Sequence, residues 1–115
     1  SAMSERSMRS PVGMMRRRLL LEHPVGTPDG MGGETRGYAL VAAVWAQVEW
    51  LSGEERWRAG RPEQALSHRI SLRWRAGVDA GQRLRDASQV FEIRAVADPD
   101  GARRRLVCLA EEVRP

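Results

Sequence analysis

Apolar and polar residues alternate with a period of two along most of the chain, and the pattern breaks sharply at one place. Val44, Ala46, Val48 and Trp50 alternate with Trp45, Gln47 and Glu49, as in a strand with one buried face. Ser52 and Glu55 then form S-x-x-E, a capping box that satisfies orphan amides at a helix start. The pattern predicts a long strand from Tyr38 to Leu51, then a short helix or helical loop over Gly53 to Ala59. Gly60 is its stop, and Arg61-Pro62-Glu63-Gln64 is a linker. The first half of that strand is apolar on both faces (Val41, Ala43 and Trp45 against Ala42, Val44 and Ala46), which predicts cover on both sides. Upstream, Arg18 to Pro24 reads as a first strand, with Leu19 and Leu21 inward, Leu20 outward and Pro24 as its end. Thr27-Pro28-Asp29-Gly30 has the chemistry of a type I turn, lengthened by Met31-Gly32-Gly33.

Downstream the alternation is cleanest from Leu66 to Arg75. Leu66, His68, Ile70, Leu72 and Trp74 face one way, and Ser67, Arg69, Ser71, Arg73 and Arg75 the other. Gly77 to Gly81 turns, Gln82 to Asp86 is a short strand around Leu84, and Asp86-Ala87-Ser88 falls where a hairpin turn is expected. Gln89 to Ala97 follows with Phe91, Ile93 and Ala95 inward, Asp98-Pro99-Asp100-Gly101 turns again, and Arg104 to Val113 is the last strand. In that strand Val107 and Leu109 share one face, and Leu106, Cys108 and Ala110 the other. Six short strands with one brief helix predict an all-β chain: a small antiparallel six-stranded β-barrel or rolled sandwich, with the helix in the loop between strands 2 and 3. Closure removes exposed edges.

The length of 115 residues allows one domain. The apolar share of 42% supports one modest core, to which a partner or further copies add stability. Residues 1–15 are expected to be a tag scar (Ser1-Ala2-Met3) followed by a flexible arm, and 16–115 the barrel domain. No apolar run is long enough to span a membrane. The single Cys108 excludes an internal disulfide and a cysteine metal cluster, and fits a reducing cytoplasmic origin. Net charge is +4, and every basic residue is arginine. Two readings compete: arginine suits bidentate contacts to phosphate and carboxylate, or a GC-rich genome replaces lysine codons. The calculated pI near 10.8 permits contact with nucleic acid.

Enzyme signatures such as G-x-S-x-G, H-E-x-x-H and the P-loop are missing. His68 on an apolar strand face reads as a core or rim histidine, and His23 as a strand-end residue. Asp98 and Asp100 are turn formers. Gly30-Met31-Gly32-Gly33 precedes a strand and not a helix, so it lacks the geometry of a phosphate cradle. No cofactor, metal or small-molecule substrate is expected. Of the four tryptophans, Trp74 belongs to the inward stripe. Trp45 and Trp50 lie on opposite faces of one strand, which places at least one at an interface. Trp57 sits between Arg56 and Arg58 in the charged excursion, where three roles are open: an interface anchor, a cap on the barrel end, or a base-stacking platform.

The order of segments carries a resemblance. R-R-L-L-L-E-H-P-V (Arg17 to Val25), D-G-x-G-G (Asp29 to Gly33) and V-W-A-Q-V-E-W-L-S-G-E-E (Val44 to Glu55) come first. H-R-I-S-L-R-W-R-A-G-V (His68 to Val78), V-F-E-I-R-A-V-A-D-P-D (Val90 to Asp100) and L-V-C-L-A-E-E-V (Leu106 to Val113) follow. This series resembles the phage head–tail joining family, the head closure or stopper proteins, from Arg16 to the C-terminus. The arm before Arg16 departs from it. The resemblance implies a non-enzymatic virion protein whose copies form a ring, twelvefold or sixfold, in the neck of a tailed particle. The portal or adaptor protein lies above it, a tail terminator or other tail protein below, and double-stranded DNA passes through the channel. Residues 51–64 would project into that channel, with Ser52, Glu54, Glu55, Arg56, Trp57 and Arg58 as the channel or inter-subunit loop. Arginine rings would hold phosphates, whereas alternating glutamate and arginine would lock neighbouring loops together. The protein would occupy the host cytoplasm before assembly. The lysine-free composition also fits gene transfer agents of GC-rich bacteria.

A second reading is a stand-alone nucleic-acid-binding barrel that uses Arg69, Arg73 and Arg75, with Trp45 and Trp50 as further interface or DNA-facing residues. The arginines have a plainer role open to them as well, pairing with carboxylates across the sheet.

Overall fold

The period-two segments pair into a closed, fully antiparallel barrel. A computed structural model describes residues 16–28, 30, 33–58 and 66–113. Its elements are β1 Arg17–Pro28, β2 Glu34–Trp50, α1 Gly53–Arg58, β3 His68–Arg73, β4 Arg83–Arg85, β5 Val90–Ala97 and β6 Arg105–Val113. Around the barrel the strands run β1-β2-β3-β6-β5-β4, and β4 returns to β1. Each strand sends alternate side chains inward, as the pleat requires. Leu19 and Leu21, Val44 and Ala46, Ile70 and Leu72, Leu84, Phe91 and Ile93, and Leu106, Cys108 and Ala110 make one buried cluster.

The two ends of the barrel differ. His68 opposes Trp50 on one side and Ala110 on the other, next to the start of α1. Arg73 opposes Arg105 at the far end, where the 98–104 turn enters β6. That turn is set by Asp98: its carbonyl accepts the Gly101 N–H at 3.2 Å, and its Oδ2 accepts the Arg103 N–H at 3.0 Å. The β4–β5 turn is as predicted. Asp86 Oδ1 accepts the Ser88 and Gln89 N–H groups at 2.8 and 2.9 Å, an Asx arrangement.

Several expectations need correction. β1 does not stop at Pro24 but runs to Pro28, pairing Pro24 with Tyr38 and Pro28 with Glu34. Past Glu22, β1 has left β4 and keeps β2 as its strand neighbour; a proline is tolerated on such an open edge. Thr27 and Pro28 of the expected turn therefore belong to β1; Gly30 takes φ +81°, while Asp29, Met31 and Gly32 lie outside the described residues. His23 sits within β1 opposite Ala39 rather than at its end. β2 starts at Glu34, not Tyr38, and its first half is not covered on both faces. Leu40 is 62% exposed, and Val41 and Trp45 are exposed too. Over this stretch β2 is a sheet edge, because β3 reaches it only from Ala46 onward.

Ala95 was expected inward. The β5–β6 register shifts between Ile93 and Ala95, and the extra residue of a bulge turns the alternation over, so Val96 packs against the core instead. Trp74 ends its stripe half-buried against the core rather than within it.

One charged residue holds the seam. Glu22 is 6% exposed, and its two oxygens accept Arg83 Nε at 2.6 Å and Arg85 Nε at 2.9 Å. Burial pushes its carboxyl up, but the hydrogen bonds and charges of both arginines outweigh it and hold the pKa below its ordinary 4.5. A depressed carboxylate stabilises the fold fully above its unfolded pKa, and that contribution is lost as pH falls through the folded value. Replacing Glu22 by Gln is expected to cost about 2 kcal/mol at pH 7 in urea unfolding. The gap between variant and parent is expected to narrow as the pH falls below about 4.5. A gap independent of pH would contradict the ionised seam.

Candidate functional site

The chain leaves the barrel at Leu51 and returns at Leu66, and both leucines are buried. The Leu51 N–H donates to the Ser67 carbonyl at 2.9 Å, and the Ser67 N–H donates to the Ala110 carbonyl at 2.9 Å. The Ser67 hydroxyl accepts the Glu112 N–H at 2.8 Å. The excursion therefore springs from a root fixed by two apolar anchors and continued ladder bonds, not from a loose joint.

The capping box is formed as the sequence predicts. The Ser52 N–H donates to Glu55 Oε1 at 3.0 Å, and the Glu55 N–H donates to Ser52 Oγ at 3.1 Å. Arg69 of β3 then ties the helix to the barrel wall. Its guanidinium reaches Glu49 Oε1 at 3.3 Å and also grips Glu55 Oε2. Both Glu55 oxygens are thus engaged, one by its own helix start and one by β3, and Arg69 is spent on its own chain. Ser52 and Glu54 are exposed and Glu55 half-buried. Arg56, Trp57 and Arg58 continue α1; their side chains, and residues 59–65 with the expected stop Gly60 and the linker, lie outside the described residues.

Beside this root lies an aromatic platform. The Trp50 ring sits 4.2 Å from that of His68, and His68 meets Phe91 nearly edge-on at 4.9 Å. Ser67 Oγ lies 2.8 Å from His68 Nδ1. Trp50 is 69% exposed, so a large apolar plate faces solvent on a packed base, the usual build of an interface anchor. His68 is a core histidine, as its place in the pattern predicts.

The other candidate residues are elsewhere. Trp45, Arg73 and Arg75 lie toward the far end, on a cleft of about 1050 Å³ that also takes in Arg16, Trp74 and Arg103 to Arg105. Trp45 is 57% exposed, and Arg18 lies over its ring at 5.8 Å. The sequence reading missed Arg16 and the Arg103-Arg104-Arg105 run. The only signal was three consecutive arginines after a turn, and nothing in the sequence brings them to residues 45, 73 and 75.

Burial pushes the Cys108 thiol up to about 12, which leaves it protonated and unreactive. Among the described residues no group of three or more His, Cys, Asp or Glu side chains could hold a metal ion, and no helix is long and apolar enough to cross a membrane.

Residues 11–113 match the model of the phage head completion protein family, and the chain belongs to that family. A solution structure of protein SF1141 from Shigella flexneri 2a is 26% identical with a TM-score of 0.70; the match covers 89% of this chain and 96% of that one. A chain from the virion of a native gene transfer agent particle is 30% identical with a TM-score of 0.58, covering 84% and 94% respectively. No curated protein matches. The family is structural and not enzymatic, so the chain is a component of a phage-type or gene transfer agent particle and assembles with other virion proteins.

The capped root makes a local prediction. Ser52→Ala is expected to remove about 1 kcal/mol from α1 and to speed amide exchange of residues 54 and 55 about fivefold. Arg69→Ala is expected to do the same through the lost Glu55 tie. Amides of β3 and β6 should keep their protection in both variants. Unchanged exchange in α1 would mean that the cap and the tie do not hold it.

Proposed function

We propose that copies of this chain form a ring in the neck of the particle, between the portal or adaptor and the tail, and that the ring closes the head after DNA packaging. The observation that carries this reading is the root of the segment between Leu51 and Leu66, with α1 as its described part. That root is fixed by Leu51, Leu66 and Ser67 and braced by Arg69. In a ring each exposed group recurs once per subunit, so a modest surface becomes a collar. Glu54, Arg56, Trp57 and Arg58 are the residues proposed to line the channel or meet the next subunit. Trp50, exposed beside the root, is the proposed anchor of a protein contact. Arg69 is withdrawn from direct DNA contact, because Glu49 and Glu55 hold it.

Membership of the head completion family supports this reading, as does the likeness to a chain in a gene transfer agent virion. Twelvefold and sixfold rings fit it equally, and the lysine-free chain fits a gene transfer agent of a GC-rich bacterium as well as a phage.

The test is particle production with the chain deleted, and with residues 53–58 replaced by a Gly-Ser segment of equal length. Deletion is expected to leave tailless heads that lose their DNA. The replacement is expected to permit joining while DNA leaks. Normal tailed, DNA-filled particles from the deletion would overturn the neck role, and normal retention in the replacement would overturn the closing role of the loop. The second reading, a nucleic-acid-binding barrel, gains from the arginine cleft at the other end of β3.

A further inference from the structure

We propose that the cleft on the outer face of β2 and β3 is a binding site for the phosphate backbone of double-stranded DNA, separate from the excursion at α1. The inference rests on the reading that this chain meets packaged DNA, and gives it a second contact.

The first observation is where unneutralised charge lies. Arg17, Arg69, Arg83, Arg85 and Arg94 each have a carboxylate partner in the barrel. Among the described residues, none pairs with Arg73, Arg75, Arg104 or Arg105, which line the cleft together with Arg16 and Arg103. Like charges gathered without counter-charge repel one another, a cost that a bound anion removes. Arg75 Nε adds a specific demand, since it is buried without a hydrogen-bond partner.

The second observation is pre-organisation. Arg103 lies over the Trp74 ring at 5.2 Å and Arg18 over Trp45 at 5.8 Å. Stacking on an indole face restrains a guanidinium while leaving its edge N–H groups free to donate. Arg103 also adopts φ +56°, a conformation that a residue with a side chain rarely takes. The Asp98 carboxylate holds it there through the Arg103 N–H. Strained backbone of this kind persists where the surroundings fix it, often at ligand contacts.

The third observation is the layout, which favours a duplex backbone over an acidic polypeptide. Arg73 and Arg105 stand directly opposite each other on β3 and β6, Arg103 and Arg104 precede β6 in the turn, and Arg103 to Arg105 are exposed. Gln47 and Ser71 pair across β2 and β3 in the same cleft. Arginines gathered on neighbouring strands and the adjoining turn suit a ligand whose charges recur at close, regular spacing, as phosphates do. Guanidinium forks take phosphate oxygens bidentately, and amide and hydroxyl groups supplement them.

The experiment is titration of the full chain with a fluorescein-labelled 24-base-pair duplex of mixed sequence at 50 to 200 mM NaCl. Engagement of about four phosphates predicts a log–log salt slope near −3.6, about a 150-fold loss of affinity over that range. Arg73→Ala, Arg104→Ala and Arg105→Ala combined should bring the slope to about −1, while the thermal melt stays that of the parent. Arg94→Gln, which removes one positive charge outside the cleft from a guanidinium paired with Glu111, should leave duplex affinity unchanged. Three outcomes would overturn the proposal: no salt-dependent binding, a triple variant that binds like the parent, or displacement of the duplex by poly-glutamate at a lower charge concentration than by unlabelled duplex. The neck reading is tested apart from this by the deletion particles: no duplex binding together with tailless, leaking heads removes the cleft proposal alone. Duplex binding together with normal particles from the deletion removes the neck reading alone.

Discussion

The barrel is closed by three residue pairs between β1 and β4: Leu20 with Arg85, Leu21 with Leu84 and Glu22 with Arg83. Everything else depends on that seam. β4 is three residues long, too short to hold by ladder bonds alone. Two further interactions hold it. Leu21 and Leu84 are both buried in the core, and one Glu22 carboxylate spans two arginines of β4. Opening the seam would expose Leu84 and Phe91 together and strand a carboxylate that burial makes expensive to leave unpaired. The turn that delivers β4 is fixed by buried Gln82. Its side chain accepts the Asp79 N–H at 3.0 Å and donates to the Gly77 carbonyl at 2.9 Å. Arg83 also stacks over Tyr38 at 3.7 Å, which couples the seam to β2.

Closure separates the two working surfaces. With the strands locked in register, His68 and Arg73 must sit at opposite ends of β3, because each residue advances about 3.3 Å along a strand. The excursion and Trp50 therefore belong to one end, and the arginine cleft to the other. A protein that joins parts of a particle needs separate surfaces on one rigid body, and a small barrel supplies them without a hinge. The exposed edge of β2, with Leu40 and Val41 facing solvent, adds apolar area of the kind that marks protein contacts.

Much of this was legible in the sequence, for physical reasons. The stripe from Leu66 to Trp74 was readable because one face of β3 is buried and the other is not. The α1 start was readable because a capping box is local chemistry within four residues. What could not be read is long-range. Glu22 carries no local mark of its role, since its partners lie 61 and 63 residues away. Pro24 looked like a strand end because proline forbids a ladder bond, yet on an open edge that bond is not required. The bulge after Ile93 leaves no mark in a stretch whose residues all suit a strand. The apolar first half of β2 is ambiguous in principle, because cover by the chain's own core and cover by a partner leave the same pattern. The arginine cleft draws on residues 16, 45, 73–75 and 103–105, which only the closed topology brings together. The order of segments, by contrast, gave the family from sequence alone.

In the proposed ring the barrel is a fixed body with its α1 end toward the axis and the arginine cleft at its other end. The most direct measurement is an electron cryomicroscopy reconstruction of the particle neck with this chain in place. The account predicts a closed ring of identical barrels with the α1 ends innermost. Barrels with α1 facing outward, or the chain present outside any ring, would contradict it.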